Sequence, residues 1–161
     1  MQNEIQSFQP LLNENGEITN PGWARKPYWQ YDRRQIKAPK HRIKEWDYYL
    51  VNNERCAAAF TISDLGYLGM VSVSFIDLIN RREITKTSLV PMPMGSMGLR
   101  ASSDSADVDF KNDTLHLRFS KNGDRRRIQC EYKDFDGGQS LVCDFLMWQP
   151  DMDSMCIATP W

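Results

Sequence analysis

"TLHLRFSKNGDRRRIQCEYK", residues 114–133, holds two runs in which apolar and polar side chains alternate, separated by Asn122-Gly123. A period of two puts Leu115, Leu117 and Phe119 on one face of a strand, and Ile128, Cys130 and Tyr132 on one face of the next. An Asn-Gly pair between two such runs is the strongest short-range signal for a β-hairpin. The stretch therefore predicts an antiparallel pair with one dry face, and a dry face needs a second layer of β structure to cover it.

The same period runs outward on both sides. Upstream it marks strands over 43–51, 55–63, 69–79, 83–90 and 106–111, and downstream over 139–148. Turn-forming clusters separate them: "NNE", "DLGYLG", "NRR", "PMPMGSMG", Asn112-Asp113 and "DFDGG". About eight strands at near-regular spacing, without a long helical period, predict an all-β fold. The expected architecture is an antiparallel up-and-down barrel or half-barrel, residues 43–161, whose interior holds side chains or one small ligand. Residues 1–42 lack either period. They read as an extended aromatic-basic arm ("WARKPYWQYDRRQIKAPKHR") lying on the barrel, because Trp23, Tyr28, Trp29 and Tyr31 are costly to leave in water. Two strands are apolar on both faces, 70–79 and 139–148. That predicts a cover for the outer face: the arm, a partner subunit or a second domain.

Composition narrows the function classes. Lys and Arg number 20 against 21 Asp and Glu, so there is no general electrostatic reason to bind nucleic acid or an acidic membrane. No apolar run is long enough for a transmembrane helix, and the N-terminus lacks a secretory pattern, which makes the cytoplasm the default expectation. The cysteines Cys56, Cys130, Cys143 and Cys156 form no CxxC pair, and His41 and His116 lie apart from them, so neither a metal site nor a cofactor is expected. Cys130 and Cys143 can approach across a hairpin, although free buried thiols fit a reducing compartment better.

"GWARKPYWQYDR", "RIKEWDYYLV", "ISDLGYLG" and "IATPW", in this order, resemble a bacterial domain-of-unknown-function family (twenty-eight-zero-four). That family is similar to the lipocalin-like superfamily of carotenoid 1,2-hydratases, tocopherol cyclase-like proteins and fungal survival factors. The resemblance implies two consecutive lipocalin-like barrels in a protein about twice this long, this chain being the first half and "IATPW" lying near the junction. It implies no established reaction.

Candidate site residues follow from parity and corners. Lys44, Trp46 and Tyr48 share a face of the first strand. They read as a cavity wall with Lys44 anchoring a carboxylate or phosphate, or as core with the lysine stem lying along it. The opposite face, with Glu45 and Asp47, reads as solvated or as a partner for Arg25 and Arg33. Phe60 adds to the apolar lining. Asp64 and Tyr67 flank the "DLGYLG" corner, as turn residues or as a ligand-contacting rim. Met94, with Met92 and Met97, reads as an adaptable apolar lip or as a loop tucked onto the sheet. Trp148 shares a face with Val142, Leu146 and Asp144. A carboxylate on an apolar face must pair or take a raised pKa. Asp144 and Asp77 are therefore the candidate acids for protonating an alkene, with an ion pair as the alternative. The expected function is binding of a hydrophobic or amphipathic small molecule, a lipid or isoprenoid. The alternatives are an isoprenoid hydratase, cyclase or isomerase using a buried acid, and a non-catalytic interaction module assembled with a second barrel or a second copy.

Overall fold

The structure, a computed structural model, describes residues 3–104 and 107–159. The arm carries three short strands, β1 (Gln9–Pro10), β2 (Gly22–Ala24) and β3 (Trp29–Gln30), and two single 3-10 turns at Arg33–Gln35 and Lys40–Arg42. Eight longer strands follow: β4 (Glu45–Asn52), β5 (Cys56–Asp64), β6 (Leu68–Asp77), β7 (Arg82–Pro91), β8 (Val108–Lys111), β9 (Leu115–Asn122), β10 (Arg125–Asp136) and β11 (Gln139–Trp148). A last strand, β12 (Cys156–Ala158), pairs antiparallel with β2 of the arm. Each of the eight lies where the alternation places it, except that the expected start at Ala106 is outside the described residues, as are Pro160 and Trp161 of "IATPW".

The eight strands form two open antiparallel sheets in sequential order, β4-β5-β6-β7 and β11-β10-β9-β8. The hairpin read from residues 114–133 is present, with Asn122 opposite Arg125 and Leu117 opposite Cys130. Its two turn residues are Gly123 and Asp124. Gly123 has φ +60°, the conformation that a tight hairpin turn requires and a side chain resists. A second hairpin turns on Gly137-Gly138, both at positive φ.

The expected closed barrel is not formed. Among the described residues β7 does not pair with β8, nor β11 with β4. Hairpin turns carry register from strand to strand, whereas the long link from β7 to β8 does not. Part of that link is pinned elsewhere: Met97 is buried in the core, and the Met92 and Met94 amides donate to the Tyr67 and Gly66 carbonyls. The space between the sheets is filled by one cluster drawn from both. Phe60, Ile62, Val71 and Val73 of the first sheet meet Leu115, Leu117, Phe119 and Ile128 of the second. Aromatic contacts cross it, Tyr49 on Phe119 at 4.6 Å and Phe60 on Phe145 at 6.0 Å between centroids.

The outer faces differ. On the first sheet, ladder register gives three cross-strand rungs: Trp46–Ser63–Met70–Leu89, Tyr48–Thr61–Ser72–Thr87 and Leu50–Ala59–Ser74–Thr85. None of these residues is charged. On the second sheet the rungs include Leu146–Arg127–Ser120, Asp144–Gln129–Arg118–Asp109 and Val142–Glu131–His116–Lys111, so charge dominates. Among the described residues no helix is long and apolar enough to cross a membrane.

Truncation of the shared core is expected to be costly and truncation of an outer aromatic cheap. Phe119→Ala should lose about 3–5 kcal/mol in a urea titration. Trp148→Ala, whose side chain is 75% exposed, should lose no more than about 1 kcal/mol.

Candidate functional site

Parity correctly sorts the residues of β4 into two sets, but the set with more aromatic surface faces out. Trp46 is 62% and Tyr48 54% exposed, with Leu50 beside them, while Glu45, Asp47, Tyr49 and Val51 turn inward. The cavity wall expected from Lys44, Trp46 and Tyr48 is thus an outer surface. The face expected to be solvated lies toward the inter-sheet layer. Two carboxylates pointing inward near the start of a strand must find partners or lose charge.

Glu45 finds them in the arm. Tyr31 Oη and Arg33 Nη1 both donate to its carboxylate, closing the arm onto β4 as anticipated for Arg33. Burial, then the bond to Glu45, pushes the Tyr31 hydroxyl well above the ordinary phenol range. Arg25 goes elsewhere, to Glu4 and Asp153.

The Asp47 carboxylate has no hydrogen-bond partner among the described residues, although its backbone lies in the β4–β5 ladder opposite Ile62. Partial burial raises its carboxyl above the usual range, and the positive charge of Arg126 offsets part of that rise. Arg126, on β10, is 2% exposed and shares parity with Ile128, Cys130 and Tyr132. It reaches across the inter-sheet layer: Nη1 donates to Tyr49 Oη at 2.7 Å, Nε to Gln149 Oε1 at 2.8 Å and Nη2 to the Ser103 carbonyl at 2.9 Å. Its guanidinium also lies 5.0 Å from the Tyr49 ring centroid.

Above this cluster is a shallow depression of about 240 Å³, lined by Tyr31, Lys44, Glu45, Trp46, Asp47, Leu99 and Arg100. Lys44 and Trp46 do line it, and Lys44 Nζ sits 5.3 Å from the Tyr67 ring centroid. Three of the expected ligand residues are therefore brought together. Asp64 lies beneath the same corner, 1% exposed, its two oxygens accepting from the Gly66 amide at 2.9 Å and the Gly95 amide at 2.6 Å. It is a clamp between the corner and the methionine loop rather than a rim contact. Gly66 is held at φ +80°, where an added Cβ would sit 2.5 Å from the His41 backbone, so the arm also presses on this corner.

The other candidates lie apart. Phe60 is fully buried in the core. Tyr48 continues the outer stripe below Trp46, Met94 belongs to the pinned loop, and Trp148 stands on the outer face of the second sheet with its indole N–H on Asp124 at 2.7 Å. Both candidate acids are corrected. Arg127, on the adjacent strand and not in the arm, holds Asp144 through two bonds of 2.7 and 2.5 Å and lowers its pKa. The Asn80 amide and side chain, with the Ile79 amide, do the same for Asp77 in its turn. A carboxyl kept ionised this way is no proton donor at neutral pH. Asp77 does help line a second cleft, of about 190 Å³, at the opposite end of the inter-sheet layer, where Arg82 bridges to Asp136 at 2.8 Å. Cys130 faces Cys143 across the ladder; both are free thiols, and burial with the nearby Cys143 pushes the Cys130 thiol up to about 12.

Residues 2–161 match the family described as Domain of unknown function (DUF2804). No curated protein and no solved structure matches the chain.

Arg126→Ala leaves the Tyr49 hydroxyl, the Gln149 amide and the Ser103 carbonyl without their donor, and should cost roughly 3 kcal/mol in denaturant unfolding. Asp47 behaves oppositely. Its raised folded pKa means that stability present below the ordinary carboxylate range is lost as pH rises through the folded value. Asp47→Asn should therefore raise the melting temperature at pH 7 and make no difference at pH 3. An unchanged or lowered melting temperature at pH 7 would refute the assignment.

Proposed function

The chain belongs to the family described as Domain of unknown function (DUF2804), and we propose that it binds an amphipathic small molecule at the β4 depression, outside the packed layer between its sheets. The observation that carries this reading is the company kept there. Among the described residues, two cationic groups outside any ion pair (Lys44, Arg100), a carboxylate without a hydrogen bond (Asp47) and apolar surface (Trp46, Leu99) line one concavity. Such mixed lining, apolar with a few polar groups, suits small-molecule recognition. A fully packed core argues against a ligand held between the sheets.

The lipocalin-like relationship is part of the same proposal. Eight strands in unbroken sequential order, folded as two meanders, have the connectivity of an up-and-down barrel opened at two seams. A further barrel domain or a second copy remains the proposed cover for Val142, Leu146 and Trp148, which stand exposed on the outer face of β11.

A second reading, acid catalysis on an isoprenoid, moves from Asp144 and Asp77 to Asp47. Asp47 is the described carboxylate whose pKa is raised, and it faces the depression. Native mass spectrometry of the purified chain, followed by organic extraction, tests the binder: an apolar adduct released on Trp46→Ala substitution is expected. Absence of any adduct, together with no tryptophan fluorescence response to amphipathic probes, would overturn it. Asp47→Asn removes a negative charge from the depression, so it should retain or tighten adduct binding while abolishing any acid-catalysed turnover.

A further inference from the structure

The depression is too small for a whole lipid, since pockets that bury drug-sized ligands run to roughly 300–1,000 Å³. It opens, at Trp46, onto the outer face of the first sheet. That face is uncharged across all three rungs, with Trp46, Tyr48, Leu50 and Leu89 each at least half exposed. From β4 to β7 the panel spans about 14 Å, and from Trp46 to Leu50 about 13 Å. An area of that size falls well short of the ~800 Å² per partner of a stable protein interface. It matches one extended alkyl chain better than it matches a second copy.

Charge sets the direction. At one end, two residues before Trp46, stands Lys44, with Arg100 across the depression. At the other end the next rung brings Glu83. Of the two carboxylates near Lys44, Glu45 is already taken by Tyr31 and Arg33. Asp47 is left, and it offsets one of the two positive charges of Lys44 and Arg100, so the depression keeps a net single positive charge that a singly charged anionic head balances and a doubly charged one exceeds. The outer face of the second sheet offers no comparable panel, because Arg118, Arg127 and Asp144 interrupt it.

We propose that the ligand is a free long-chain monocarboxylate, its head at Lys44 and Arg100 and its chain laid across the uncharged outer face of β4–β7. This rests on the binding reading above and names the class of molecule that the same site takes.

Laurate below its micelle concentration is the test probe, titrated into the intact chain by calorimetry and by amide NMR, with dodecanol, dodecyl phosphate and anionic phosphatidylglycerol vesicles as comparators. Laurate should bind at least tenfold more tightly than dodecanol, with amide shifts confined to the three rungs and the Lys44–Asp47 segment. The pair Lys44→Ala with Arg100→Ala should remove that advantage while leaving dodecanol binding unchanged. Trp46→Ala with Tyr48→Ala should weaken both ligands. These side chains are exposed, and an unchanged melting temperature confirms folding. Equal binding of laurate and dodecanol would overturn the carboxylate assignment while leaving an amphipath binder. Tighter binding of dodecyl phosphate would replace the head class. Binding to vesicles without binding to monomers would make the panel a membrane contact. Shifts mapping to β10–β11 would misplace the site, and no binding by any probe would remove the binding proposal as well.

Discussion

Everything in this molecule depends on two four-stranded sheets closing on a single layer of side chains. Phe60, Ile62, Val71 and Val73 from one sheet and Leu115, Leu117, Phe119 and Ile128 from the other fill it with almost no residual exposure. These side chains are buried against one another, so the shared layer is the hydrophobic core of both sheets. The chemistry of the chain is therefore pushed to the ends of that layer and to its outer surfaces.

At one end the inward face of β4 changes from apolar to acidic, and the structure answers with cations from two directions. Arg33 comes from the arm to Glu45, and Arg126 comes from β10 to Tyr49. These contacts close the arm and the second sheet onto the same strand. Among the described residues the Asp47 carboxylate, between them, has no hydrogen bond, and its pKa is raised. At the far end the ion pair of Arg82 with Asp136 links β7 to β10. Charge that is neutralised, as in Arg127 with Asp144, is structural. Among the described residues, Lys44 and Asp47 carry charge outside any ion pair, beside the apolar surface of Trp46 and Leu99, and this is the ground of the binding proposal.

The two outer faces show why exposed apolar residues need their neighbours to be interpreted. Trp148 and Leu146 sit among Arg125, Arg127 and Asp144, with the Trp148 indole bonded to Asp124. Trp46 and Tyr48 sit at the edge of hydroxyl and apolar rungs without charge. Ser74 and Thr85 bond each other at 2.6 Å, Thr87 donates to Ser72 at 3.3 Å, Ser63 donates to the Met70 carbonyl, and at the far edge Thr85 also donates to Glu83. One surface mixes exposed apolar residues with charge, and the other carries three uncharged rungs between Lys44 and Glu83.

Much of this was legible in the sequence. Strand order, the hairpins at Gly123 and Gly137-Gly138, and the residue sets sharing each face follow from a period of two and from turn chemistry, both of which are local. Arg126 was not singled out, although its alternation in step with Ile128 and Cys130 is the signal that would have placed it on the inner face. Parity cannot say which of two faces points inward when both carry apolar groups. On β4 the choice between Trp46-Tyr48-Leu50 and Tyr49-Val51 was made by what lies across the layer: Phe119 for the Tyr49 ring, Arg126 for its hydroxyl, and Arg33 for Glu45. Those partners are distant in the chain, so their energies enter only once the sheets have met. Sequence by itself determined the strands and their two-sidedness; the tertiary structure decided inside from outside, and with it which side chains line the β4 depression, because burial is a property of the assembled layers and not of a strand alone.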